Sequence, residues 1–136
     1  MRRLLRVRDL LEEQSRLALD AATGELHRLE DAVQATASQD RRGRLLVEAS
    51  AHTGELPDRL AGLEEVRTAA RFREVVIPRI RDAEFAVSTL REEFLAKRVD
   101  RRQAEALILE TEARDTAEAG RRGQQALDDW YRFRLR

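Results

Sequence analysis

Acid, base or nucleophilic chemistry would have to come from two histidines, several adjacent carboxylates and a large arginine complement, because the chain has no cysteine. His27 and His52 lie far apart, with neither an HxxxH nor an HExxH spacing, so no metal site is expected. The acidic pairs are Glu12-Glu13, Glu64-Glu65, Glu92-Glu93 and Asp128-Asp129. Neighbouring residues on a helix diverge by about 100°, so each pair reads as a solvated face and not as a general acid and base. Glycine motifs that cradle phosphates or form a nucleophile elbow do not occur. The residues therefore predict a protein without catalytic site, cofactor or metal.

Charge is distributed unevenly beneath an even total of 26 basic and 26 acidic residues. Arg2, Arg3, Arg6 and Arg8 open the chain, and Arg132, Arg134 and Arg136 close it. Setting those seven aside leaves 19 bases against 26 acids, whereas Glu48 to Glu65 holds five acids and the single base Arg59. One reading is that both basic ends are solvated helix termini, the C-terminal one favoured by the helix dipole. The other is that they contact an acidic partner. Nucleic acid is not expected, since no Lys/Arg stripe follows one face. The Arg-to-Lys ratio of 25 to 1 is taken as a genomic codon bias.

Long helices must carry these groups. Ala, Leu, Glu and Arg dominate, while the chain holds six Gly, two Pro and no Asn, so turn-forming residues are scarce. Acid-before-base pairs four apart support helix throughout: Glu12/Arg16, Asp40/Arg44, Glu93/Lys97, Glu110/Arg114, Glu118/Arg122 and Asp128/Arg132. From Leu19 a three-four alternation runs through Ala22, Leu26, Leu29, Val33, Thr36, Asp40, Gly43, Val47 and Ser50, a coiled-coil seam. Asp40 and Gly43 make its second half look weak. Upstream, the apolar stripe Leu4, Val7, Leu11, Ser15, Ala18 and Ala22 takes two successive four-residue steps, as a stutter would.

Gly54, Pro57 and Asp58 mark the one clear break. The predicted fold is all-α: a two-helix antiparallel coiled-coil hairpin forming one domain over 1–136, with helix 1 at about 2–50, a turn at 51–57 and helix 2 at about 58–134. Leu60, Leu63, Val66 and Ala70, then Ile80, Ala83, Val87, Leu90 and Phe94, form the second seam. It weakens at Lys97 and Arg101 before Ala104, Ile108 and Thr111 resume it. Pro78 between these blocks predicts a kink or short break; a short strand through Val75 to Ile77 is the alternative. Helix 1 should run out opposite roughly Ala104, leaving Leu127, Trp130, Tyr131 and Phe133 on an overhang of helix 2 that wants a partner. Gly120 and Gly123 should loosen that overhang. The N-terminus lacks the apolar core of a signal peptide, and no run is long enough to span a membrane. A cytoplasmic protein is expected.

The sequence resembles the flagellar export protein FliJ family and, more distantly, the YscO-like stalk proteins of injectisome type III secretion. The resemblance rests on the opening Arg3-Leu4-Leu5-Arg6-Val7-Arg8-Asp9-Leu10-Leu11-Glu12-Glu13 and, more strongly, on Arg101-Arg102-Gln103-Ala104-Glu105, Arg121-Arg122 and Gln124-Gln125-Ala126-Leu127-Asp128-Asp129. Gln125 stands where the family's closing Gln-Lys-x-Leu-Asp-Glu-like signature has a base, and Asp129 where it has Glu. It implies a coiled coil similar to the gamma-subunit stalk of rotary ATP synthases. Such a stalk sits in the hexameric export ATPase (FliI-like), contacts the export gate protein (FlhA-like), helps deliver substrates with export chaperones, and meets the membrane peripherally through them. The expected ATPase-facing residues are Arg2, Arg3, Arg6, Arg8, Leu127, Trp130, Tyr131, Arg132, Phe133 and Arg134, with the turn around Glu55 to Glu65 toward the gate. The expected system is the flagellar export apparatus, with the choice between flagellar and injectisome not fixed by the sequence; a generic homo-oligomeric coiled-coil scaffold and a substrate-specific export chaperone are the rival readings.

Overall fold

The computed structural model describes residues 2–135, with side chains from residue 3. It contains two helices, α1 (Arg2–Thr53) and α2 (Leu56–Arg134), packed against each other as an antiparallel hairpin. The predicted all-α hairpin is therefore what the chain forms. Among the described residues, no helix is long and apolar enough to cross a membrane.

The turn is tighter than the predicted 51–57. Only Gly54 and Glu55 lie between the helices. Gly54 adopts φ 74°, a left-handed conformation that costs glycine little, and its N–H donates to the Ser50 carbonyl at 2.8 Å. That bond ends α1 with one of its otherwise unpaired carbonyls satisfied. Pro57 falls in the first turn of α2, where its missing N–H is no loss.

Pro78 does not break α2, which runs through it without interruption; neither the expected break nor the alternative strand is present. Both Pro78 and Glu74, whose carbonyl an amide at position 78 would have met, are exposed, so water can serve the orphaned acceptor.

The hairpin divides into two packing units: Arg16–Glu93, and Met1–Ser15 with Phe94–Arg136. Within Arg16–Glu93, α1 turns Leu19, Ala22, Leu26, Leu29, Val33, Thr36, Asp40, Gly43, Val47 and Ser50 inward, the predicted positions. On α2 the inward set is Gly62, Val66, Ala69, Arg73, Val76, Ile80, Ala83, Val87 and Leu90. This corrects the seam expected at its start, since Leu60, Leu63 and Ala70 are exposed. The reason is backbone contact at glycine. A Cβ on Gly43 would lie 2.7 Å from the Gly62 carbonyl oxygen, and one on Gly62 would lie 2.6 Å from that of Gly43. Helices this close leave room for Gly62 and Ala69 but not for leucine.

The second half of the α1 seam is consequently not weak. Gly43 is the point of closest approach, and the Asp40 carboxylate accepts a bond from Arg44 Nε at 2.9 Å and lies 3.6 Å from the Arg73 guanidinium. Arg42 makes two 3.0 Å bonds to Glu65, which hold its guanidinium pKa above the usual arginine value. Buried Thr36 and Ser50 donate to carbonyls of their own helix, Ala32 and Val47, both at 2.8 Å, so neither hydroxyl is left bare in the seam.

Candidate functional site

The predicted gate-facing turn falls in the Arg16–Glu93 unit, and the predicted ATPase-facing residues all fall in the unit formed by Met1–Ser15 and Phe94–Arg136. Here α1 turns Leu5, Arg8, Glu12 and Ser15 inward. Leu5, Arg8 and Glu12 are each one residue on from the apolar stripe expected by sequence, whose Leu4, Val7 and Leu11 are exposed, while Ser15 is inward as expected and Ala18 is exposed. Leu5, Arg8, Glu12, Ser15 and Leu19 follow the same three-four alternation as the remainder of α1, so the predicted stutter is absent. Register won over local hydrophobicity because the charges brought inward find partners. Arg8 donates to the Asp100 carbonyl at 3.2 Å and lies 3.6 Å from its carboxylate. Arg101 of α2 bonds Glu12, and lies 3.8 Å from Asp9 and 3.4 Å from Glu105. The bond that Arg101 donates to Glu12, then the Glu12 charge, raises the Arg101 pKa above the usual arginine value, with Glu105 and Asp9 adding to the effect.

Opposite this arm, α2 turns Phe94, Arg101, Ala104, Ile108 and Thr111 inward. A groove of about 240 Å³ runs along the contact, lined by Leu4, Arg8, Gln103, Ala104, Leu107 and Ile108. Past Thr111 the side chains are exposed, with Glu118 the one partly covered among the described residues. The overhang is thus the stretch from 112 to 134, roughly 35 Å at about 1.5 Å per residue.

Of the predicted basic residues, Arg3 and Arg6 are exposed, Arg8 is committed to Asp100, and the Arg2 side chain and Arg136 lie outside the described residues. On the overhang, Leu127, Trp130, Tyr131 and Phe133 are about half to four-fifths exposed. Trp130 and Tyr131 meet edge to face with centroids 5.2 Å apart, and the Arg134 guanidinium sits 4.8 Å above the Trp130 ring, a cation–π contact. Arg132 is exposed beside them. The structure therefore gathers Trp130, Tyr131 and Arg134 into one cluster. The arginines of α1 lie elsewhere: Leu4 shares its groove with Ile108 and Thr111, and Trp130 is about five helical turns beyond Thr111.

The sequence reading missed the Arg101 cluster. Lys97 and Arg101 read only as a lapse of hydrophobicity, and nothing local to Glu12 signals its bond across to Arg101. The available signal was that a charge lapse on α2 falls opposite a charge lapse on α1 once the strict heptad is carried back to Leu5. Among the described residues no group of three or more His, Asp or Glu is arranged to hold a metal ion. Comparison with family models, with curated proteins and with solved structures returns no match.

Proposed function

We propose that the chain is a non-catalytic stalk of a type III protein-export apparatus, flagellar or injectisome, working at the cytoplasmic face of the membrane. Its overhanging helix would engage the hexameric export ATPase, and its turn would face the export gate and the chaperones that deliver substrates. The observation that carries this reading is the overhang itself. It presents Leu127, Trp130, Tyr131 and Phe133 to solvent with arginines beside them, and aromatic and arginine side chains are the usual anchors of protein interfaces.

Co-purification with the cognate export ATPase tests the reading. Replacing Trp130 and Phe133 by Ala should abolish capture, and replacing Arg3 and Arg6 by Ala should weaken it in a salt-dependent way. Arg8 is left intact because its loss would disturb the contact with Asp100. Capture unaffected by either pair would overturn the assignment. A particle of twice 15.7 kDa that ignores the ATPase would favour the scaffold, and capture of a filament protein instead would favour the export chaperone.

A further inference from the structure

We propose that residues 3–15 of α1 form a strap, held on α2 by an ionic clasp instead of a hydrophobic seam, which opens when that clasp is screened. Two of its four inward positions are charged, Arg8 and Glu12. A third, Ser15, has a buried hydroxyl with no hydrogen-bond partner, which disfavours the closed form. Leu5 is the large apolar residue at an inward position, while Leu4, Val7 and Leu11 lie at the edge of the contact, 40–53% exposed, and Leu10 is 64% exposed.

Among the described residues, the ion pairs that tie the strap to α2 include Arg8 with Asp100, and Arg101 with Glu12 and Asp9. The side chains of these pairs are accessible to between about a fifth and a half of their full extent, so dissolved ions reach them. Screening shortens from about 10 Å at 0.1 M salt to about 3 Å at 1 M, the scale of the contacts themselves. A competing carboxylate or arginine on a partner would act in the same way. Opening uncovers Ala104, which is 6% exposed when the strap is closed, and the neighbouring Ile108. That is an apolar strip on α2 at helical spacing, which the strap itself covers when closed.

The absence of cysteine allows site-specific spin labels on the full chain. Labels at Leu11→Cys and Lys97→Cys, both exposed and lining one groove, report the strap. Labels at Leu45→Cys and Leu63→Cys report the other packing unit. Raising NaCl from 0.05 to about 1 M should add a long-distance population to the first pair and leave the second unchanged. The same series on a Glu12→Leu/Arg101→Leu background should keep the strap closed at every salt concentration. A single short distance for the first pair across the wild-type series would overturn the proposal, as would parallel broadening of both pairs. Unchanged salt sensitivity in the leucine background would also overturn it. Amide exchange on the unlabelled wild type guards against a variant that fails to fold. Residues 5–15 should exchange at least about tenfold faster than 19–33, with the gap widening in salt, and equal protection would reject the strap.

Discussion

Gly43 and Gly62 sit where two helix backbones touch, whereas Gly120 and Gly123 sit on a helix with nothing within 4 Å of where a Cβ would be. The same residue type thus has opposite meaning in the two regions. In the Arg16–Glu93 unit the missing side chain permits the approach that organises the seam. On the overhang it only lowers helix propensity. The difference teaches that sequence composition alone misjudges glycine in a coiled coil, because its cost is local and its benefit lies on the facing helix.

The largest expected effect comes from giving both regions one substitution. Gly43→Leu should destabilise the hairpin by about 3 kcal/mol, since even its Cβ meets the Gly62 carbonyl and the Val66 side chain and overpacking forces the helices apart. Gly123→Leu should instead stabilise by up to about 1 kcal/mol through helix propensity. Urea titrations followed by circular dichroism would measure both, and losses of similar size would dissolve the distinction.

Apolar truncation should separate the regions less steeply. Val76 is 4% exposed, and Val76→Ala removes about two methylene equivalents from a seam that cannot fully close, costing about 2 kcal/mol. Trp130→Ala removes a much larger side chain from an exposed face and should change stability by no more than about 0.5 kcal/mol. If Trp130→Ala proved the more destabilising, the overhang would be packed in solution.

Much of the fold is legible in the residues, and the failures share one cause. Leu19 to Ser50 and Ile80 to Phe94 were readable because their inward positions are mostly apolar or small in strict three-four order. Leu60, Leu63, Leu4, Val7 and Leu11 misled because hydrophobicity was allowed to outvote register. Gly62, Arg8 and Glu12 carry no hydrophobic signal, and their inward placement depends on Gly43, Asp100 and Arg101, which are distant in sequence. The break expected at Pro78 is absent for a different reason: a lost amide is cheap where the orphaned carbonyl faces water. The overhang was foreseeable from helix lengths alone, but the gathering of Trp130, Tyr131 and Arg134 needed side-chain geometry.

Replacing both overhang glycines tests the middle of this scale. Gly120→Ala and Gly123→Ala should each stabilise the helix by up to about 1 kcal/mol and raise helicity, since a Cβ at either site meets no side chain within 4 Å. Gly62→Ala should do the reverse, its propensity gain being outweighed by contact with the Gly43 carbonyl and Val47. A stabilising Gly62→Ala would mean that the helices separate without penalty.

The smallest effect belongs to the turn, where no facing helix sets the outcome. Glu55 has its pKa raised by a side-chain hydrogen bond with Asp58, then by that residue's charge, with desolvation contributing least. A carboxyl whose folded pKa lies above its unfolded value adds stability that is complete below the ordinary glutamate range and is lost as pH rises through the raised value. At neutral pH the two carboxylates simply repel across an exposed turn. Glu55→Gln should therefore melt slightly higher than wild type at pH 7, and the gain should vanish or reverse in acid, where protonated Glu55 can donate to Asp58. Comparing the two melting temperatures at each pH removes the loss of the other ion pairs, which both proteins share. A difference that grew on acidification would mean that the Glu55 charge is stabilised in the folded turn, contrary to its contact with Asp58.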